Sequence, residues 1–429
     1  MSTYKPSPVF DTLEQVLELY QDVHHSNQPA QIVSTWLKQC LGESIEIPRY
    51  ATDDFRTALF FLYSYRGSKD TFNAYRRELE RLMHWSWFVR KQSILDHKRE
   101  DIEGFVDFCL QPPDNWIGVK NVARFKKSGG VKQPNPEWRP FTAKVSKAEH
   151  KDGIEPNKSL HRLSQKALKV LFGILGSFYN YLMQVELIAL NPVAMIRQKS
   201  KFIQRDMTAK VIRRLSDEQW QQVMDCAKEL AAQDPKHERT VFMLSCLYGM
   251  YLRISELVAS DRWTPMMEHF FKDADGNWWF KTVGKGNKAR QIAVSESMLT
   301  ALKRYRTKWL QLPPTPSPGE LHPMIGSLSN PARPITSDRP IRQLVQDCFD
   351  LAAEKLRQAG KREEADTMAQ ATVHWLRHTG ISDDVKHRPR EHVRDDAGHS
   401  SSAITDGYID VKLRERAKSA KHKKILPED

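Results

Sequence analysis

Six residues of this 429-residue chain carry side chains suited to phosphate-ester chemistry, and they sit in five short segments. They are Arg253 in "LRISEL", Lys285 in "VGKGNKAR", His374 and Arg377 in "HWLRHTG", His399 in "AGHSS" and Tyr408 in "TDGYID". Two guanidinium groups suit a phosphate, because their planar forks match its oxygens in a bidentate way. A free tyrosine, with a pKa of about 10, is a poor nucleophile unless a base and a positive field assist it. Histidine can be that base, and a lysine at a hairpin tip can protonate a departing oxygen. No cage of paired carboxylates accompanies the set, which argues against two-metal nuclease chemistry.

Arg253 raises a question of its own. It falls inside "LYGMYLRISELVAS" (247–260), an apolar, helix-patterned stretch. A guanidinium buried there needs an anion, either a carboxylate of the chain or something from outside it. Glu256, one turn later, is placed to orient it or to cap a neighbour. Taken singly, the other residues have plain readings. Lys285 is a solvated turn lysine and Tyr408 a surface tyrosine. His374 and His378, four apart, share a helix face and fit a zinc pair, but no glutamate lies between them as in HExxH. Lys288 and Arg290, on the strand after Lys285, are the alternates for the acid or for a phosphate contact. Co-occurrence is what lifts these residues together.

The ordered set resembles the tyrosine recombinases, also called phage-type integrases. The resemblance is specific over about 214–415 and looser over 51–195, where helices end in "NP". It implies a mainly α fold with a small antiparallel sheet: a helical core-binding domain plus a mixed α+β catalytic domain. It implies a site-specific recombinase that cuts and rejoins DNA through a 3′-phosphotyrosine link, in integration, excision or resolution of a mobile element. Carried over residue by residue, Arg253 and Arg377 clamp the scissile phosphate and Lys285 is the acid for the departing 5′ hydroxyl. His374 is base or hydrogen-bond partner, His399 hydrogen-bonds the phosphate region, and Tyr408 attacks. Arg253 would thus find its anion in a DNA phosphate. The partners implied are double-stranded DNA and three further copies in a tetramer, with an accessory DNA-bending protein or a second recombinase as additional candidates. No cofactor and no metal are implied. The competing readings are a catalytically vestigial DNA-binding accessory protein, a type IB topoisomerase-like relaxing enzyme and a metalloenzyme.

Two departures stand out. The stretch "ISDDVKHRPREHVRDDAGHS" (381–400) is polar where the family has an aliphatic helix. Gly380 also stands where the family tends to carry a larger residue, which predicts a short helix.

These residues need a scaffold, and its elements are legible in outline. Helical periodicity covers 9–42, giving a small N-terminal extension (1–48). A helical DNA-binding domain follows (49–195). Within it "TFNAYRRELERLMHWSW" puts Phe72, Tyr75, Leu79, Leu82 and Met83 on one face and Arg76, Arg77, Glu80 and Arg81 on the other. Over 111–160 the periodicity fails, and "QPPDNW", "SGG" and "QPNPEWRP" are turn signals. Residues 119–153 hold nine Lys or Arg against three acids, a net +6. That marks a basic, phosphate-contacting insertion, with Lys126, Lys127, Lys132 and Arg139 its candidate DNA contacts beside Lys288 and Arg290. A long helix over 161–190 stops at Pro192. Residues 196–213 read as a linker. A catalytic domain with a C-terminal tail (214–429) begins with Ser216 as an N-cap. Its β-rich part lies at 263–296, with a turn at Asp275–Gly276 and another at Gly284–Gly286. The tail 411–425 has seven Lys or Arg against one acid; in the family such a segment packs on a neighbouring protomer.

The bulk numbers agree. A formal charge of +13 favours a polyanionic partner. No apolar run reaches 18 residues, which speaks against a membrane span. No signal-peptide pattern opens the chain, and five scattered cysteines lack framework spacing. Together these point to the cytoplasm, and the resemblance implies a bacterial one, with the protein at the nucleoid.

Overall fold

The structure is a computed structural model that describes residues 4–145, 149–150, 153–197, 202, 213–284, 286–399, 401 and 404–405. The chain divides into two compact units, residues 1–208 and 209–429. It is mainly helical with small sheets.

The first unit contains α1 (Leu13–His25), α2 (Pro29–Leu41), α3 (Ala51–Tyr63), α4 (Lys69–Trp85), α5 (Arg99–Leu110) and α6 (Gln165–Gln184). Its core is continuous. Val9, Phe10, Val16, Val33 and Leu37 from the first 48 residues are buried in the same cluster as Phe72, Leu79 and Phe178. The apolar stripe of α4 is buried as its spacing predicts, but the opposite face is not given over to water. Glu80 is 1% exposed and accepts the backbone N–H groups of Val9 (2.8 Å) and Phe10 (3.2 Å), with Arg124 as its ion-pair partner. Ser164 caps α6 through the Ala167 N–H. That helix ends at Gln184, before Pro192, where Glu186 takes a left-handed φ of 61°.

The stretch 111–160 is not only loop. It holds an antiparallel hairpin, β2 (Phe125–Ser128) with β3 (Val131–Pro134), and a two-residue parallel pair, β1 (Ile117–Gly118) with β4 (Phe141–Thr142). The hairpin has almost no buried side chains, so it lacks the apolar alternation that marks a strand in sequence.

The second unit runs α7 (Asp217–Gln233), α8 (Glu238–Gly249), β5 (Phe270–Lys272), β6 (Trp278–Val283), β7 (Ala289–Ala293), α9 (Glu296–Tyr305), α10 (Arg339–Gln358), α11 (Arg362–Ala369), α12 (Val373–Asp384) and α13 (Arg390–Ala397). Ser216 caps α7 as expected: its side chain accepts the Gln219 N–H (3.2 Å), and Gln219 returns a bond to the Ser216 N–H (2.9 Å). The three strands form one antiparallel sheet in sequence order, with Trp279 opposite Ala293 and Val283 opposite Ala289. The core gathers Phe242, Leu247, Leu252, Phe280, Ile292, Phe349 and Leu376. All five cysteines are buried and unpaired. Among the described residues no helix is long and apolar enough to cross a membrane.

Candidate active site

The segment holding Arg253 is not one helix. α8 stops at Gly249, and Tyr251 turns the chain with a φ of 50°. Met250, Tyr251 and Leu252 drop into the core. Arg253 then heads a single 3-10 turn, Ile254–Glu256, and is only half-buried. The apolar run therefore belongs to the turn's anchors, and the arginine stands at their edge. Its anion inside the chain is Glu256, which accepts the Arg253 N–H (2.8 Å) and one guanidinium nitrogen (3.1 Å).

Glu256 is 2% exposed and serves two arginines. Arg290 meets it with both terminal nitrogens, at 2.8 and 2.9 Å, in a fork-to-fork pair. Burial would raise the Glu256 pKa. The hydrogen bonds and charge of Arg290, with those of Arg253, hold it below the usual carboxylate range instead. The third nitrogen of Arg290 donates to the Asp396 carbonyl at 2.9 Å. Three of its five N–H groups are thus committed within the chain. Sequence spacing could not reveal these bonds, because the partners lie 34 and 106 residues away.

Replacing Arg290 with Met should therefore lower stability at neutral pH by about 2 kcal/mol, since Arg253 still partly neutralises the buried carboxylate. Glu256 has a folded pKa below its unfolded value. Its contribution is present above about pH 4.3 and fades as pH falls below that. The gap in Tm between wild type and Arg290→Met should narrow in acid; a gap independent of pH would contradict the assignment.

The hairpin tip closes on this pair. A Cβ at Gly284 would lie 2.8 Å from an Arg290 nitrogen, 3.0 Å from Glu256 Oε1 and 3.4 Å from an Arg253 nitrogen, so a larger residue would press on all three side chains. Lys285 follows directly but lies outside the described residues. Gly286 and Asn287, with φ of 76° and 60°, complete the turn, and Lys288 is exposed on it.

α12 supplies His374 and Arg377. Arg377 is 3% exposed. One terminal nitrogen donates to the Tyr251 carbonyl and the other to the Ala397 carbonyl (2.6 Å). It thereby joins the chain that leads into Arg253 to the chain that leads into His399. His374 stands one turn earlier, its ring 4.3 Å from that of His378. Burial, then the charges of Arg377 and Arg253, lower the His374 pKa. His399 follows Gly398, whose φ of 64° ends α13 in a left-handed cap. Burial and the charges of Arg377, Arg253 and Arg290 bring the His399 pKa down to about 4. His399 Nδ1 lies 2.9 Å from the hydroxyl of buried Thr405. Tyr408, three residues beyond, lies outside the described residues, as does the tail after it.

The polar stretch after Gly380 has a use. α12 continues past Gly380 to Asp384. Asp384 accepts from the Tyr251 hydroxyl and from Arg388 (3.0 Å), and Arg388 reaches Asp396 at 2.6 Å. These charges pair with one another, while Tyr251, Ile381, Val393 and Ala397 form a small apolar cluster of their own.

Of the other basic residues, Lys126 and Lys127 are exposed on β2. Lys132 pairs with Asp11, and Arg139 donates to the Pro136 carbonyl (2.8 Å).

In the second unit a half-exposed arginine and a buried arginine thus act together on two histidines whose pKa values are lowered. Residues 213–415 match the family model described as "Phage integrase family". The chain carries a phage integrase family domain over these residues. Tyrosine recombinase XerC of Chlorobaculum parvum is 25% identical over 160 residues, covering 36% of this chain and 43% of that protein. The chain therefore spans less than half the length of that relative. Among solved structures, the XerH recombinase bound to its difH substrate in a pre-cleavage complex is similar at 13% identity, covering 98% of this chain and 99% of that one, with a TM-score of 0.43. The Tn1549 transposon integrase in complex with a circular intermediate DNA is similar at 16% identity, covering 86% and 98%, with a TM-score of 0.49.

Proposed function

We propose that this protein is a site-specific DNA recombinase working through a 3′-phosphotyrosine intermediate. The observation that carries the reading is electrostatic. Arg253 and Arg377 act on both His374 and His399, so four of the six residues share one positive surrounding. Such a surrounding suits the charge that builds on a phosphoryl group under attack. In the proposed step the Tyr408 oxygen bonds to phosphorus and passes its proton to His374 as base. The bond to the 5′ oxygen breaks, and that oxygen takes a proton from Lys285. The reverse step rejoins a strand. His399 is neutral well below pH 7, so it can accept a hydrogen bond from the phenol or donate one to a phosphoryl oxygen. His374 holds the second such position.

Double-stranded DNA is the substrate, in keeping with the +13 charge. Four copies act together on it, with an accessory protein or second recombinase where the element requires one. The outcome is integration, excision or resolution of a mobile element in a bacterial cytoplasm, at the nucleoid.

Tyr408→Phe should abolish covalent protein–DNA adducts on a nicked suicide substrate while leaving DNA binding intact. Persisting adducts would assign the attack to another side chain.

A further inference from the structure

The turn that carries Lys285 closes on itself. β6 and β7 pair with Thr282 opposite Arg290 and Val283 opposite Ala289. Past that register the Gly284 N–H donates to the Lys288 carbonyl (2.9 Å) and the Asn287 N–H to the Gly284 carbonyl (3.2 Å). Among the described residues, Gly284, Gly286, Asn287 and Lys288 make no hydrogen bond outside the hairpin. These bonds set the shape of the tip but not its place against Arg253 and His399.

What sets its place is packing on Arg290. That side chain is 9% exposed and lies between three parts of the site. Toward the tip stands Gly284, where a Cβ would come within 2.8 Å of an Arg290 nitrogen. Toward Arg253 stands Glu256, gripped by both terminal nitrogens. Toward His399 stand the Asp396 carbonyl, which accepts from Nε, and Gly398, where a Cβ would come within 2.9 Å of Arg290 Cδ. The glycine before Lys285 and the glycine before His399 thus lie against one side chain.

Two of these three parts have other anchors. Arg253 keeps its own bonds to Glu256. The segment entering His399 is also held by Arg377 at the Ala397 carbonyl (2.6 Å), and at the Asp396 carboxylate by Arg388 (2.6 Å) and the Ala293 N–H (3.3 Å). The tip has its packing on the Glu256–Arg290 pair.

We propose that Arg290 is a positioning residue for the general acid: with Glu256 it forms the seat that sets the Lys285 turn against Arg253 and His399. This rests on the reading of Lys285 as proton donor to the departing 5′ oxygen. Arg290 does not itself replace the lysine, because a guanidinium keeps its protons beyond about pH 12. Lysine at position 290 would keep a charge beside Glu256. A single ammonium could not span both carboxylate oxygens and the Asp396 carbonyl while backing Gly284. The tip would sit loosely, and a misplacement of about 1 Å can cost about 10²-fold in rate.

The test changes the leaving atom. DNA with sulfur in place of the bridging 5′ oxygen expels a thiolate, whose thiol has a pKa of about 8.5 and which leaves without a proton from Lys285. Ordinary DNA needs that proton. Single-turnover adduct formation by the full chain is measured on nicked duplexes of both kinds, built on the site that footprinting shows the chain to bind. The proteins are wild type, Arg290→Lys and Arg304→Met. Arg304 makes a similar fork on buried Glu238 (2.5 and 2.9 Å), so its loss controls for lowered stability. Arg290→Lys should bind DNA as wild type does, cleave ordinary DNA at least about tenfold more slowly, and cleave sulfur-bridged DNA within about threefold of wild type. Arg304→Met should match wild type on both. An equal loss on the two substrates, no loss on ordinary DNA, or the same pattern in Arg304→Met would overturn the proposal alone. No adduct from wild type on either substrate would sink the recombinase reading, and the proposal with it.

Discussion

Gly380→Ala should unfold the second unit at markedly lower temperature and should cost more than any other single-methyl change in α12. In an ordinary helix interior the exchange is stabilising by roughly 0.5–1 kcal/mol, because glycine pays more backbone entropy. Here the sign reverses. α12 packs against α8 so closely that a Cβ at Gly380 would overlap the Tyr248 carbonyl oxygen. It would also sit 3.0 Å from that carbonyl carbon and 3.2 Å from Tyr251 Cδ1. The obstacle is backbone, which cannot swing aside as a side-chain tip could. Overpacking of this kind costs about 3 kcal/mol, which is roughly 6–12 °C in Tm for a unit of this size. The relief would move α12, and with it His374 and Arg377, so strand cleavage should fall further than DNA binding. Gly173→Ala is the control, since a Cβ there meets nothing within 4 Å in the middle of α6. It should be neutral or stabilising. A Gly380→Ala protein that melts at or above the wild-type temperature would show that the helices are not this close.

Gly380 also shows where sequence reading stops. By pattern it is a weak point that should shorten its helix; by packing it is what allows two helices to touch. The same split runs through the site. Residue type and order nominate Arg253, His374, Arg377 and His399 as candidates, and the three-stranded sheet follows from its turns and alternation. The Glu256–Arg290 pair was invisible because its logic is spatial: a carboxylate on a turn and an arginine on a strand 34 positions later. A basic residue near a hairpin tip has the composition of a phosphate contact whether or not a buried acid has claimed it. The polar stretch 381–400 posed the converse problem. Asp384, Arg388 and Asp396 read as solvent-facing until their mutual bonds, and that to Tyr251, are seen. The β2–β3 hairpin leaves no mark in the sequence pattern because neither of its strands faces a core.

Arg377→Lys should leave DNA binding within a few-fold of wild type and reduce the rate of strand cleavage by about 10²–10³, or roughly 3 kcal/mol of transition-state stabilisation. The charge survives the exchange, but the geometry does not. Arg377 spans two carbonyls, those of Tyr251 and Ala397, from the two ends of one planar group. An ammonium on a flexible stem is a single point and cannot hold both while presenting a fixed fork to a phosphate. The chain entering Arg253 and the chain entering His399 would lose their common tie. A second readout separates loss of geometry from loss of charge. His399 is held near pKa 4 by burial and by the charges of Arg377, Arg253 and Arg290. In Arg377→Lys that value should stay low, while in Arg377→Ala it should climb toward the free-histidine value of about 6.5. The sign for stability follows. In wild type the unfolded chain takes up a proton at His399 more readily than the folded one, so stability declines as pH falls from about 6.5 toward 4. In Arg377→Ala part of that decline should vanish. NMR titration of His399 alongside single-turnover cleavage reads both effects. A lysine variant that cleaves at the wild-type rate, or an alanine variant whose His399 titrates where the wild type does, would remove Arg377 from the centre of this site.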